Sequence, residues 1–399
     1  MKKRWLEQES KQWIDDGIIN TQQREEILAR YQGRSNISLL FFFAAILIGL
    51  AVLSVIATNW TDLTEMVRMG IIIFFLIVFN SLGYWLDGRG FKQYGLFCYV
   101  VALGIFGAGI FLAFDMYGFP FHAPYGFIAW AIASYLIYLS RPSYTLWLVG
   151  VLVVIVGQLN ASFSLQEFNW ILLGIYIIGF GTSLFYLRKP IDSWIFVAGL
   201  MSQLFAYALE LEAYYWLTVF ALVVYIFSFF IKRNGISQAF RVVAIITVFI
   251  LTIFHATIYE SLPVPDDASV SWVYFVLLGI GIVGAIYLLL RENHKWEMAR
   301  LIIFLPVFIV PEWSTLLACS MLLSFSLLIL IEGFVRNDQR QINIGTFTFL
   351  LTILIIYFQV AWEFFDRSLF FLIGGIILFV IGFVLNRQKH KWQQGVDES

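Results

Sequence analysis

Fourteen apolar stretches divide the chain so that 23 of its 25 Lys and Arg residues fall in alternate gaps between them. No soluble fold requires such parity, whereas a chain that threads back and forth across a bilayer shows it wherever basic loops are retained on one side. The stretches run Ile37 to Thr58, Met66 to Leu86, Tyr94 to Tyr117, Tyr125 to Ser140, Ser143 to Gln158, Phe168 to Leu187 and Asp192 to Leu209. The series continues with Ala213 to Ile231, Gln238 to Tyr259, Ser271 to Leu290, Met298 to Val310, Trp313 to Ile331, Arg340 to Val360 and Leu369 to Asn386. Crossing a hydrocarbon layer of ~30 Å takes about 20 helical residues. The stretches are continuously apolar rather than alternating every second residue, which specifies helices and not barrel strands.

The basic gaps are the N-terminal segment, Asp87 to Lys92, Arg141, Arg188 to Asp192, Lys232 to Arg241, Arg291 to Arg300, Glu332 to Arg340 and the tail; together they hold 23 Lys and Arg against 14 acids. The intervening gaps hold only Arg68 and Arg367 against 12 acids. Basic loops stay cytoplasmic, so both termini are expected inside and the spans form seven hairpins. The eleventh stretch is the exception in length: 13 residues containing Pro306, short of a full crossing and either re-entrant or a truncated span. Parity survives, because Arg300 and Arg340 bracket one hairpin whose tip is Pro311-Glu312-Trp313.

Composition agrees with the class. The chain is 61% hydrophobic and 13% charged, against about 25% charged residues in soluble domains. The net charge of −1 is spread without a basic patch interleaved with aromatics, so no nucleic-acid partner is expected. Cys98 and Cys319 sit inside apolar stretches, where a thiol packs as a small hydrophobe. Two cysteines make no metal cage, and neither a metal nor a cofactor is expected. The first apolar run is too long for a signal-peptide core, so the first span is expected to serve as its own uncleaved insertion signal.

Residues 1–34 form the sizeable extramembrane module, followed by a transmembrane domain over 35–387 and a cytoplasmic tail over 388–399. Trp5, Leu6, Trp13 and Ile14 mark one face of a first helix, and Gly17 stands where a left-handed stop is usual. Asn20 and Gln23 have capping-box spacing at the start of a second helix, whose apolar stripe is Ile27, Leu28 and Tyr31. So short a pair lacks its own core, and its stripes are expected to dock on the cytoplasmic face or on a membrane or cytoplasmic protein partner.

Polar residues near the spans gather toward the acidic side. Asn59, Trp60 and Asp62 end the first span, Asp115, Tyr117 and His122 end the third, and Trp130 starts down the fourth. Two readings fit: an outward-facing polar pocket walled by two consecutive hairpins, or an interfacial Trp and Tyr belt with solvated carboxylates. Within the spans, Asn80, Gln158, Gln203, His255 and Gln359 fit interhelical hydrogen bonds. Small residues such as Gly104 with Ala108, and Gly281 with Ala285, fit close helix packing rather than a nucleotide fingerprint.

Trp13-x-x-x-Gly17-Ile18-Ile19, a short helix ending in Tyr31, and a first span closing in "GLAVLSVIATNW" resemble the bacterial membrane proteins called domain of unknown function 2157. "GAGIFLAFDMYGF" at Gly107 to Phe119, followed by Trp130, resembles that family's next signature, and "RSLFFLIGGIILFVIGFVLNRQ" its last helix. The family commonly has Gln where this chain has Asp115. The resemblance implies a multi-pass protein of the bacterial inner membrane without an established activity.

The expected architecture is therefore an all-α, polytopic transmembrane bundle of about 14 spans with a cytoplasmic N-terminal helix pair and the lipid bilayer as its surroundings. Three functional classes remain open. Fourteen spans and an interrupted segment suit a transporter or lipid-handling protein, although buried mid-membrane charge is missing. The helix pair suits a non-catalytic sensor or scaffold. An outward-facing enzyme using Asp62, Asp115 and His122 requires those groups to share one pocket.

Overall fold

A computed structural model describes residues 63–118, 124–184, 190–258, 272–292, 295–307 and 313–361, together with short pieces at 9–10, 13–14 and 20–24 and scattered positions within 43–58 and 375–379. Every regular element among the described residues is helical. They are α1 Glu65–Gly88, α2 Lys92–Met116, α3 Pro124–Ser140, α4 Tyr144–Leu165, α5 Trp170–Ser183, α6 Pro190–Glu210, α7 Trp216–Phe230, α8 Asn234–Ile258, α9 Trp272–Arg291, α10 Lys295–Arg300, α11 Ser314–Val335 and α12 Gln339–Ala361. Eight of these (α1, α2, α4, α6, α8, α9, α11 and α12) are long and apolar enough to cross a membrane; α3, α5 and α7 are shorter apolar helices. Each coincides within a few residues with a stretch read from the sequence. The first and last stretches, Ile37 to Thr58 and Leu369 to Asn386, lie mostly outside the described residues, so the full count of fourteen is not established by these helices.

The eleventh stretch departs from its neighbours. α10 lasts six residues, tightens into a 3₁₀ turn over Leu301–Phe304, and gives way to extended backbone at Leu305 (ψ 139°). Pro306 supplies the reason, because its ring clashes with a helical conformation in the residue before it. Residues 308–312 lie outside the described part.

The chain divides into two compact units. The first comprises Met1–Phe121 with Leu139–Leu146, the second His122–Tyr138 with Trp147–Ser399. In the first, α1 packs along α2. A Cβ on Gly109 would lie 2.6 Å from Ile72, and one on Gly95 would lie 2.8 Å from the Gly83 carbonyl, so this hairpin depends on missing side chains. Gly104 meets no described atom and is exposed, which removes it from the packing role expected for it.

In the second unit α8 is central. It packs against α6, α7, α11 and α12, and 56% of its apolar window is buried, against 11% for α12. α7 also packs on α9, where Gly281 faces Leu222 and Ala285 is fully buried, as the small-residue spacing anticipated. Ile280, Val283 and Tyr287 on α9 and Ile344 and Phe347 on α12 are exposed, the distribution expected where lipid rather than water surrounds a bundle.

Three tight turns share one closing device. Phe91 N–H donates to the Leu86 carbonyl (2.9 Å), Ala213 N–H to that of Ala208 (3.2 Å) and Asp338 N–H to that of Gly333 (3.0 Å). Each encloses a left-handed residue: Gly90 (φ 88°), Glu212 (φ 52°) and Asn337 (φ 54°). This is the six-to-one bond that satisfies the last carbonyls of a helix.

Candidate functional site

The described part of the N-terminal segment carries the expected cap. Gln23 N–H donates to Asn20 Oδ1 (2.7 Å) while Asn20 N–H donates to Gln23 Oε1 (3.0 Å). Arg24 Nε donates to Ser10 Oγ at 3.2 Å, joining two pieces 14 residues apart.

Of the seven residues marked for an outward pocket, Asn59, Trp60, Asp62 and His122 lie outside the described residues. Asp115 and Tyr117 are exposed at the end of α2, and Trp130 stacks on Phe127 of its own helix with ring centroids 6.2 Å apart. Asn80 turns back on its own helix, donating to the Leu76 carbonyl at 2.8 Å, in place of the interhelical bond expected of it. A side chain that satisfies itself one turn back avoids an unpaired amide in the apolar layer. Gln158 does bridge segments: with its amide oriented to suit both groups, it donates to the Asn169 carbonyl (3.0 Å) and accepts from the Asn169 N–H (2.9 Å). Asn169 Oδ1 in turn caps α5 through the N–H groups of Ile171 (3.1 Å) and Leu172 (3.0 Å). Cys98 and Cys319 are buried free thiols, as expected.

α5 is irregular at its centre, where Ile175–Phe180 form a π-helical stretch. Fully buried Tyr176 stacks on Phe196 of α6 (4.9 Å) and donates its hydroxyl to that residue's carbonyl at 2.6 Å. Trp147 Nε1 donates to the Phe180 carbonyl at 3.2 Å. A widened turn is tolerated in an apolar setting because neighbouring side chains meet backbone groups that the regular ladder leaves free.

The densest polar arrangement joins gaps far apart in sequence. Arg241, at the start of α8, reaches Glu292 (3.1 Å) and Glu297 (3.6 Å), donates from Nε to Ser228 Oγ (3.2 Å), and lies 4.2 Å above the Phe229 ring. Tyr225 OH donates to Glu297 at 3.5 Å. One turn along α10, Arg300 pairs with Glu332 of α11, a carboxylate 1% exposed that also accepts from Arg336 at 3.2 Å. Arg300 also donates to Gln341 Oε1 at 3.4 Å. The six-residue α10 therefore holds α8 with Glu297 and α11 with Arg300. Among the described side chains three arginines, Arg241, Arg300 and Arg336, face three glutamates, Glu292, Glu297 and Glu332. In the first unit, Arg141 pairs with Asp87 and donates to the Lys92 carbonyl at 2.7 Å.

All of these charges lie in gaps of one parity, and nothing in their spacing pairs them. The legible signal was Glu332, an acid continuous with the apolar run ending at Ile331 and followed by Arg336 at helical spacing. At the turns between α4 and α5 and between α6 and α7 the described charged residues, Glu167, Glu210 and Glu212, are exposed acids. There the segments meet through rings instead: Phe168, Trp170 and Tyr207 lie within 5.3 Å of one another, Tyr215 lies 5.0 Å from Tyr274, and Tyr214 lies 5.3 Å from His255. Among the described residues, no group of three or more His, Cys, Asp or Glu has the geometry of a metal site.

No curated protein and no solved structure matches the chain. Residues 11–147, about a third of the chain and including the α1–α2 hairpin with its Asp87–Arg141 pair, match the model of the family described as "Predicted membrane protein (DUF2157)".

Proposed function

We propose that the chain is a fourteen-span protein of the bacterial inner membrane, built as seven hairpins with both termini cytoplasmic, that transports a solute or handles a lipid, with residues 295–307 as its moving element. The observation that carries this reading is the interruption of that segment beside buried charge: a six-residue helix, a 3₁₀ turn and an extended Leu305, with Arg300 engaged by Glu332. Broken helices recur where membrane proteins bind and release cargo, because unwound backbone offers free hydrogen-bonding groups only where protein or a cavity surrounds it. The topology draws support from ion pairs between segments distant in sequence, which join gaps of the basic parity within each unit.

The test uses a full chain carrying Cys98→Ala, Cys319→Ala and Phe304→Cys in native membranes, treated with a small water-soluble thiol reagent. Phe304 is fully buried, so labelling reports opening of the segment. Slow labelling, made several-fold faster by Glu332→Gln, is expected; complete protection with and without that change overturns the reading.

The second reading, a scaffold that binds a partner through residues 1–34, is supported by the reciprocal Asn20–Gln23 cap and the Arg24–Ser10 bond. Deleting Met1 to Gly33 is then expected to remove co-purifying proteins without lowering the level of the chain in the membrane. Retention of every partner counts against it.

A further inference from the structure

The turn between α1 and α2 carries two cations, and the one acid beside them in sequence is already engaged. Arg89 and Lys92 are both exposed, while Asp87, on the same turn, pairs with Arg141. Arg141 also holds the turn by donating to the Lys92 carbonyl at 2.7 Å. Among the described residues, the ion pairs include neither Arg89 nor Lys92.

The geometry of the turn fixes where these charges stand. Gly90, at φ 88°, lets the chain reverse within Arg89 to Phe91, and the Phe91 N–H to Leu86 carbonyl bond closes it. The Arg89 guanidinium lies 4.1 Å above the Trp85 ring. Large rings surround the pair with much of their surface bare: Tyr84 is 78% exposed, Trp85 48%, Phe91 53% and Tyr94 43%. From this girdle the exposed apolar face of α1 continues through Val78, Ile77, Phe74 and Ile73.

We infer that this turn is a binding site for an anionic phospholipid, whose phosphate lies against Arg89 and Lys92 while its glycerol and acyl region lies on Trp85, Phe91 and the apolar side of α1. Charge and surface type both select the ligand. Two cations without an available carboxylate attract an anion, and rings with an apolar body and a polar edge settle at the headgroup boundary of a bilayer. A free phosphate ion would satisfy the cations and leave the rings in water, so the combination favours a lipid. The inference rests on reading α1 and α2 as membrane spans, and the experiment separates the two.

The full chain, with Tyr94 replaced by the photoreactive residue p-benzoylphenylalanine, is reconstituted into vesicles of equal parts phosphatidylcholine and phosphatidylglycerol, irradiated, and its lipid adducts counted by mass spectrometry. Phosphatidylglycerol adducts are expected to exceed phosphatidylcholine adducts about tenfold, given the attraction of two cations to an anionic surface. In a chain that also carries Arg89→Gln and Lys92→Gln the two adducts become equal. A photoreactive residue at Met66, exposed at the other end of α1, gives equal adducts in both chains. Equal adducts at position 94 with Arg89 and Lys92 in place, or a preference that survives the double change, overturns the lipid site. No adduct with either lipid at position 94 overturns the span assignment beneath it.

Discussion

Arg300 and Glu332 form an ion pair across 32 residues of sequence in which the carboxylate is 1% exposed and the guanidinium side chain 18%. A pair so placed is worth little as a net attraction, because both ions leave water to make it. Removing one partner is another matter, since the survivor keeps its desolvation cost. Glu332→Gln and Arg300→Met are each expected to destabilise the detergent-solubilised chain by about 2 kcal/mol, below the ~3–5 kcal/mol of a fully buried pair because Arg300 retains some access to solvent. The double variant should lose clearly less than the sum. A thermal double-mutant cycle measures this, and strict additivity would show that the two residues act independently.

Gly95 and Gly104 lie on the same helix and should respond in opposite ways. A Cβ on Gly95 meets the Asp87 carboxylate and, at 2.8 Å, the Gly83 carbonyl, whereas one on Gly104 meets nothing within 4 Å. Gly95→Ala is expected to cost about 1–3 kcal/mol by forcing α1 and α2 apart. Gly104→Ala should be neutral or mildly stabilising, because alanine restricts the unfolded chain and suits a helix. Equal melting temperatures for the two variants would contradict the packing described for this hairpin.

Glu212 adopts φ 52° in the turn after α6, a conformation that costs a side-chain-bearing residue about 1 kcal/mol. Glu212→Gly is expected to raise stability by up to about 1 kcal/mol, despite the entropy that glycine adds to the unfolded chain. The same change at Gly90 is already native, and Gly90→Ala should cost a similar amount in the opposite direction. Thermal unfolding of both variants reads the sign.

The outward pocket expected from Asn59, Asp62 and Asp115 makes a distance prediction. Cysteines at positions 59 and 115, in a chain lacking Cys98 and Cys319, should join through a short bifunctional maleimide. Failure to join, with both thiols shown to be reactive, returns these residues to the interfacial belt.

Sidedness has its own test. A cysteine in place of Asp267 should react with an impermeant thiol reagent in intact cells, and one in place of Lys232, exposed beside α8, should react only after the membrane is opened. The reverse order would invert the topology.

The helices were legible because the bilayer's demand for long apolar runs is written locally. Met66 to Leu86 lies inside α1, Ser271 to Leu290 nearly coincides with α9, and Asn20 with Gln23 has the spacing of the cap that forms. Pro306 likewise announced the broken segment. What the sequence withheld is relational. Arg241 with Glu297 and Arg300 with Glu332 are set by how α8, α10 and α11 lean together, and neither spacing nor hydropathy encodes that. Asn80 departs from the interhelical bond expected of it because a polar side chain in an apolar run looks the same whether it reaches a neighbour or its own preceding turn. The π-helical stretch of α5 had no local signature either; it becomes understandable only with Tyr176 seated on Phe196 and Trp147 against Phe180.

The two ends of the second unit are fastened by different chemistry. At one end arginines and glutamates staple α8, α10 and α11 to one another; at the other, the described charges are all acids and the helices meet through aromatic rings. Ion pairs depend on solvent access and on both partners being present, whereas ring contacts are held by apolar burial and carry no charge. The stapled end therefore answers to substitution of charge, and the aromatic end to loss of ring area. Salt reaches the partly exposed Arg241–Glu292 pair, whereas Glu332, 1% exposed, is largely shielded from it.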